Sequence, residues 1–353
     1  MDIVTENQSF EEFASERKKE RRVKIAVGVC AAIVVIFGGL YFFIVSAPKL
    51  SVETETFVIP LGMGSAKIGA QLETQGLVRH AWAFDTVLLV RGLRGQLTPG
   101  SYTVSKSMNV WEVVSVLSGV PANVWVVIPE GLRKEQIADI LAEKLAWSDT
   151  QKSEWIAKDT TRNWTALSAP IDQNYSEGVY FPETYLIPLG EAPTTTARRM
   201  QSQFAEKFAP YAKEALKQNV RWPTALKVAS IVQREAAGAS DMPLVSGIIW
   251  NRLLANMPLD IDATVQYAHD TAATGWWVPL KASSIRQLDS PYNTYLHAGL
   301  PPTPISNPGI AAIKAALFPE KTACLYYLHD PSGQIHCSAT YAGQQENIRK
   351  YLK

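Results

Sequence analysis

The sequence places one carboxylic acid where acid catalysis could use it. Glu235 lies in PTALKVASIVQREAAG, a stretch that reads as one helix from Pro223 to Gly238. Pro223 suits the first turn, where its missing N–H costs nothing. Gly238 suits the stop, where a left-handed residue is wanted. Val228, Ile231, Val232 and Glu235 fall at i, i+3, i+4 and i+7 and therefore share a face. A carboxyl on such an apolar stripe loses hydration, which favours its neutral form. A protonated acid at neutral pH is what cleavage of a glycosidic bond requires. The bland alternative is a Glu at a frayed helix end that meets solvent or Arg234.

Four other stretches offer polar chemistry. In SEGVYFPETYLI, Glu177, Tyr180, Phe181, Glu183 and Tyr185 interleave acids with rings. That mixture suits a carbohydrate groove, and equally a hairpin whose rings face a core. From Ser290 to Gly309, SPYNTYLHAGLPPTPISNPG carries too many prolines and glycines for long regular structure. Its Tyr292, Asn293, Thr294 and Tyr295 supply donors, acceptors and two rings, as sugar hydroxyls require. Asn251 and Arg252 end a helix expected from Pro243 to Leu254. Leu259–Val265 then reads as an extended edge or loop bearing Asp260 and Asp262. With Asp241 and Asp289, these are the acids that could supply a second carboxylate.

These segments need a scaffold and an address. A chain of 353 residues with 47% hydrophobic content can bury a core and has room for more than one domain. Its net charge of +1 gives no reason to expect nucleic acid. Residues 1–15 are polar and acidic and are expected to be disordered. The basic cluster ERKKERRVK follows, and Ile25–Val45 carries no charge, enough to cross a hydrocarbon core as a helix. Positive flanks stay in the cytoplasm. The reading is thus a cytoplasmic tail (1–24), a transmembrane helix (25–45) and an exported remainder. A cleaved signal peptide is the rival, against which the long tail and long apolar run argue. Export to an oxidising compartment bears on Cys324 and Cys337, which flank the Asp330–Gly333 turn of an expected hairpin, LYYL and IHCSA. A disulfide and two free thiols both remain open there.

The elements between read as a mixed α+β fold. Residues 51–122 suggest strand, helix, helix, strand and helix, a small module with little ionisable chemistry, either structural or glycan-contacting. A second unit, 123–353, begins with a strand at Val124–Ile128 and a helix at Arg133–Leu145. A polar, Trp-containing helical region follows, then a helix or helical pair at Thr194–Gln218. Asn307-Pro308-Gly309 would cap a helix in IAAIKAALF, and the hairpin would close the chain.

In order, ASIVQRE, IIWNRL, DATVQYA, SPYNTY, GLPPTPISNPG and KAALFPEKTACLYYL, with EGVYFPETY upstream, resemble the YceG-like (MltG) family of endolytic murein transglycosylases. The likeness covers nearly everything after the apolar segment, and 51–122 resembles the family's LysM-like portion more weakly. Gln233 stands where the family usually has Glu, Ala236 where Thr or Ser is usual, Ala263 where Pro is usual and Thr303 where Gly is usual. The QRE spelling is similar to the acid-bearing helix of lysozyme-like lytic transglycosylases. The resemblance implies an enzyme that cleaves the β-1,4 bond between N-acetylmuramic acid and N-acetylglucosamine in nascent glycan strands. It implies Glu235 as acid and then base, leaving 1,6-anhydromuramoyl ends. Asn251, Asp262, Tyr292, Asn293, Thr294, Tyr295, Glu177 and Glu183 are the residues expected to hold the glycan. No metal or cofactor is implied. The expected partners are peptidoglycan strands, peptidoglycan synthases and the bacterial inner membrane, crossed once with the N-terminus inside and the catalytic part outside. A murein hydrolase of the same fold, with two carboxyls about 5–5.5 Å apart if retaining or about 6.5–9.5 Å if inverting, is one alternative. A non-catalytic glycan-binding scaffold is the other.

Overall fold

A computed structural model describes residues 3–49, 53–157, 177–271, 273–281 and 285–352. The chain divides into two compact units, Met1–Asn123 and Val124–Lys353.

The first unit opens with a long helix, α1 (Ile3–Val45), whose Arg21–Val45 portion is long and apolar enough to cross a membrane. The helix runs back through the tail expected to be disordered. No Pro or Gly precedes Gly28, so the backbone there meets no breaker. Beyond it, β1 (Thr54–Ile59) pairs antiparallel with β2 (Gly100–Ser105), Phe57 opposite Tyr102. Helices α2 (Ser65–Thr74), α3 (Ala81–Val90) and α4 (Val110–Leu117) complete the unit. Phe57 and Ile59 alternate inward, and Ile68, Leu72, Phe84 and Leu88 meet them at helical spacing. Asn109 caps α4 through the backbone N–H groups of Trp111 and Glu112, and Glu112 returns a bond to Asn109 N.

The second unit starts from β3 (Asn123–Val127), which neighbours β4 (Thr184–Pro188). Beside them lie α5 (Lys134–Leu145) and α6 (Asp149–Ala157). The rest of the polar, Trp-containing stretch expected before Glu177 lies outside the described residues. Tyr180, Phe181 and Tyr185 are buried, so the rings of that segment face the core and not a groove.

A larger core surrounds α8 (Trp222–Glu235). Phe204 and Phe208 of α7 (Pro193–Lys217), Val245 and Ile249 of α9 (Met242–Leu254), and Ala312, Ile313 and Ala316 of α11 (Ile310–Leu317) pack with its Val228, Ile231 and Val232. Gly247 of α9 matters here: a Cβ at that position would collide with the Glu320 carbonyl oxygen. α7 is one helix with Pro210 inside it. Between α9 and α11, Asp262–His269 forms α10, which begins inside the Leu259–Val265 stretch expected as an extended edge or loop. Thr264 bonds back to the Ile261 carbonyl at 2.7 Å, and Asp262 puts its charge in the first turn, where a helix favours an acid.

The hairpin is present as β5 (Tyr326–His329) and β6 (Ile335–Ser338), Tyr327 opposite Cys337. Cys324 and Cys337 are joined by a disulfide. The hairpin is not the end of the fold, because α12 (Tyr341–Tyr351) follows with Thr340 as its N-cap.

Candidate active site

Glu235 is the last residue of α8, and the chain leaves the helix at Ala236 in an extended conformation. Gly238, expected to stop the helix, has no such role. Asp241 takes over instead, its carboxylate accepting from Ala237 N and Gly238 N at 3.0 Å each. The stop is thus made by a side chain acting on backbone N–H groups. Because three turns of α8 are locked in the core, the acid at its end is carried on a rigid support. Its other polar residues fix the 305–309 segment. Ser230 Oγ accepts from Ile305 N at 3.1 Å, and Gln233 Oε1 accepts from Gly309 N at 2.9 Å. Arg234 turns aside and stacks on Trp277, 4.1 Å from the ring centroid.

Glu235 lines a cleft of about 230 Å³ with Arg252, Leu259, Asp260, Asp262, Tyr295, Tyr326, Tyr327 and Gln344. Tyr327 donates its phenolic hydrogen to Glu235 Oε2 at 2.6 Å. Burial pushes the Glu235 carboxyl above the usual carboxylate range, and the Asp262 charge adds to that push. The Tyr327 hydroxyl, the Ala263 backbone N–H and the charge on His329 oppose it. The acid is therefore biased towards its protonated form and still has donors ready for its anion. Tyr295 donates to Asp262 Oδ1 at 2.6 Å, so the second carboxylate of the cleft is held by the second phenol. Burial raises both phenols above their ordinary range, and the facing carboxylates raise them further. Both stay protonated donors.

Of the residues expected at the site, Glu235, Asp262 and Tyr295 meet in this cleft. The others do not line it. Asn251 donates to the carbonyls of Thr322 at 2.8 Å and Cys324 at 3.0 Å, holding the approach to β5. Asn293 is fully buried and donates to Ile285 O and Leu288 O at 2.7 and 2.8 Å. Thr294 accepts from Ile261 N at 3.1 Å and bonds the Thr264 hydroxyl at 2.9 Å, tying the loop to the start of α10. Tyr292 bonds Thr303 at 2.7 Å. Glu183 accepts from Gln203 at 3.0 Å. Glu177 is 2% exposed and accepts from Lys134 N, Asn307 Nδ2 and Tyr267 Oη, and burial raises its carboxyl to about 8. These six hold the frame with the polar atoms expected to meet the glycan. A buried turn must satisfy its own backbone first.

Comparison with known proteins decides the family. The model of the YceG-like family matches residues 57–350. The chain belongs to the YceG-like family. A Bacillus subtilis (strain 168) protein named endolytic murein transglycosylase is 28% identical, over 90% of this chain and 91% of its own length. A Streptococcus pneumoniae serotype 2 protein of the same name is 26% identical over 84% of this chain, which spans 58% of that relative. The crystal structure of a YceG-like protein from Listeria monocytogenes is 28% identical with a TM-score of 0.55, covering 84% of this chain and 99% of that one.

In this YceG-like chain, sequence reasoning missed Tyr327, Tyr326, Arg252 and Gln344 as cleft residues. Arg252 donates to Leu325 O at 2.6 Å and to Leu259 O at 2.7 Å, and it reaches Asp260 at 3.2 Å. It thereby brings the β5 strand and the Asp260–Asp262 segment to one place. The available signal was the strand alternation of LYYLH, in which Tyr327 and Leu328 must face opposite sides.

Proposed function

We propose that this chain is an endolytic murein transglycosylase, held in the cytoplasmic membrane by α1, with Glu235 as the group that moves protons. The activity class comes from the relatives' names. The observation that carries it to a residue is the desolvated carboxyl of Glu235, bonded to Tyr327 and open to a cleft that also holds Asp262 and Tyr295.

The chemistry suited to that carboxyl has two steps. Protonated Glu235 gives its hydrogen to the bridging oxygen between N-acetylmuramic acid C1 and N-acetylglucosamine C4. The C1–O bond breaks, and N-acetylglucosamine leaves with a 4-hydroxyl. Glu235, now a carboxylate favoured by the Tyr327 hydroxyl and the Ala263 N–H, takes the proton from the muramoyl C6 hydroxyl. The C6 oxygen bonds to C1, a 1,6-anhydro ring closes, and Glu235 is protonated again. The sugar is its own nucleophile, so no water enters. Asp262, fixed by Tyr295, supplies negative charge beside the oxocarbenium-like centre.

The test is mass spectrometry of products from uncrosslinked glycan strands, wild type against Glu235→Gln. Anhydromuramoyl ends that vanish in the variant support the proposal. Reducing ends would make the chain a hydrolase with Asp262 as its second carboxylate. Anhydromuramoyl ends undiminished in the variant would move the proton transfer away from Glu235, and no product from either protein would make the chain a glycan-binding scaffold.

A further inference from the structure

Both ends of α3 are tied to the end of α1 and the two residues just past it. Just before α3, Arg79 donates to the carbonyls of Ala47 at 2.9 Å and Ser46 at 3.3 Å. Its guanidinium lies 4.7 Å from the centroid of the Phe43 ring. At the other end, Arg91, the C-cap of α3, sits 5.4 Å over the ring of Trp111. The indole N–H of Trp111 donates to the Tyr41 hydroxyl at 3.1 Å. Val45 itself packs on the core of the unit. α3 has ten residues and, at a rise of about 1.5 Å per residue, is about 15 Å long. It therefore lies beside the point where the apolar stretch of α1 stops.

The face that α3 turns away from its core is apolar at that place. Ala83, Phe84, Val87 and Leu88 point inward, while Trp82, Leu89 and Val90 are 57%, 57% and 69% exposed. The face's one carboxylate, Asp85, is paired with Arg94. His80 stacks on Trp82, with ring centroids 5.9 Å apart. Three large apolar side chains on one short exposed helix face are costly in water. At a lipid–water boundary the same residues are favourable, because Trp suits the headgroup level and aliphatic side chains suit the acyl layer below it. Arg79 and Arg91, one at each end, are long enough to keep their charges among headgroups.

We propose that the outward face of α3 rests in the interfacial layer of the membrane that α1 crosses, so that lipid covers Trp82, Leu89 and Val90. This rests on the reading of α1 as a membrane anchor. The contact gives the first unit a second hold on the bilayer beside α1, to whose end it is already bonded.

The test uses the full chain with Cys30→Ala, which removes the free thiol, in phosphatidylcholine–phosphatidylglycerol vesicles. A polarity-sensitive fluorophore is attached at Trp82→Cys, Leu89→Cys or Phe37→Cys in separate preparations, and nitroxide-bearing lipids are added as quenchers. A shallow nitroxide should remove about half the emission at positions 82 and 89, as expected for burial at the headgroup–acyl boundary, and a mid-chain nitroxide should quench position 37. Quenching at 37 with full emission at 82 and 89 would overturn the proposal and leave the anchor standing. In that case a glycan, another protein or water covers the face. Full emission at all three would show that the anchor reading has failed, and this proposal with it.

Discussion

Tyr327 donates its phenolic hydrogen to Glu235 across 2.6 Å, from a strand 92 residues further along the chain. That bond makes the acid's proton affinity a property of the hairpin as well as of burial. Replacing Tyr327 by Phe removes a donor that favours the carboxylate. The sign follows: with the donor gone, Glu235 holds its proton to higher pH. The alkaline limb of the kcat/KM profile should move up in pH for Tyr327→Phe. The second step loses its stabiliser, so the maximal rate should fall roughly tenfold, the worth of one hydrogen bond of about 1.4 kcal/mol. A pH series on purified glycan strands reads both effects, and a limb that moves down would contradict the assignment.

Asp262 should behave oppositely. Its negative charge raises the Glu235 carboxyl, so Asp262→Asn removes a force that keeps the proton on. The alkaline limb should then move to lower pH. Tyr295 would retain a partner, since an amide oxygen accepts as a carboxylate does. A two-carboxylate hydrolase would lose nearly all turnover in this variant. A single-acid enzyme keeps a measurable rate with a shifted profile, and the same assay separates the two.

The Cys324–Cys337 bridge closes a loop with a sequence separation of 13. For a loop of that length, the chain-entropy account puts its contribution at about 3 kcal/mol. Reduction should lower the denaturation midpoint of the second unit accordingly. It should also lower activity before the fold is lost, because the bridged hairpin carries Tyr327. Asn251 and Arg252 still hold Thr322, Cys324 and Leu325 through their carbonyls, so the loss should be partial. Urea titration and rate assays, each with and without reductant, read the two effects.

What the sequence made legible depended on how local the cause was. The α8 stripe was readable because Val228, Ile231, Val232 and Glu235 repeat at helical spacing and the core they meet is apolar. The end of α8 was not, since Asp241 captures two N–H groups that a glycine would otherwise have left to a Schellman turn. The Tyr292–Tyr295 segment had residue types suited to a sugar, but Asn293 and Thr294 are spent on a buried turn and only Tyr295 reaches the cleft. The start of α10 reads as an extended edge or loop because Ile261, Ala263 and Val265 alternate with polar residues, a period that a short helix start can imitate. Tyr327 was invisible as a partner of Glu235 because no local pattern encodes a contact across 92 residues.

Glu177 supplies the last prediction, and it concerns stability, not turnover. Its carboxyl joins three elements: Lys134 N at the start of α5, Tyr267 Oη on α10 and Asn307 Nδ2 ahead of α11. Desolvation raises it to about 8, and Glu135 adds to this, while the Lys134 N–H bond and the charges on Arg133 and Lys134 oppose it. A folded-state value above the unfolded one means that the native state binds the extra proton. Stability from this group is therefore full below the unfolded carboxylate range and is lost as pH rises towards about 8. Between those limits the slope should approach one proton, about 1.4 kcal/mol per pH unit. Glu177→Gln keeps a neutral amide of nearly the same shape, so its stability should be flatter over that window and should gain on wild type as pH rises. Denaturant midpoints at several pH values measure this. If both proteins lost stability in parallel, Glu177 would already be ionised in the fold, with Arg133 and Lys134 outweighing its burial.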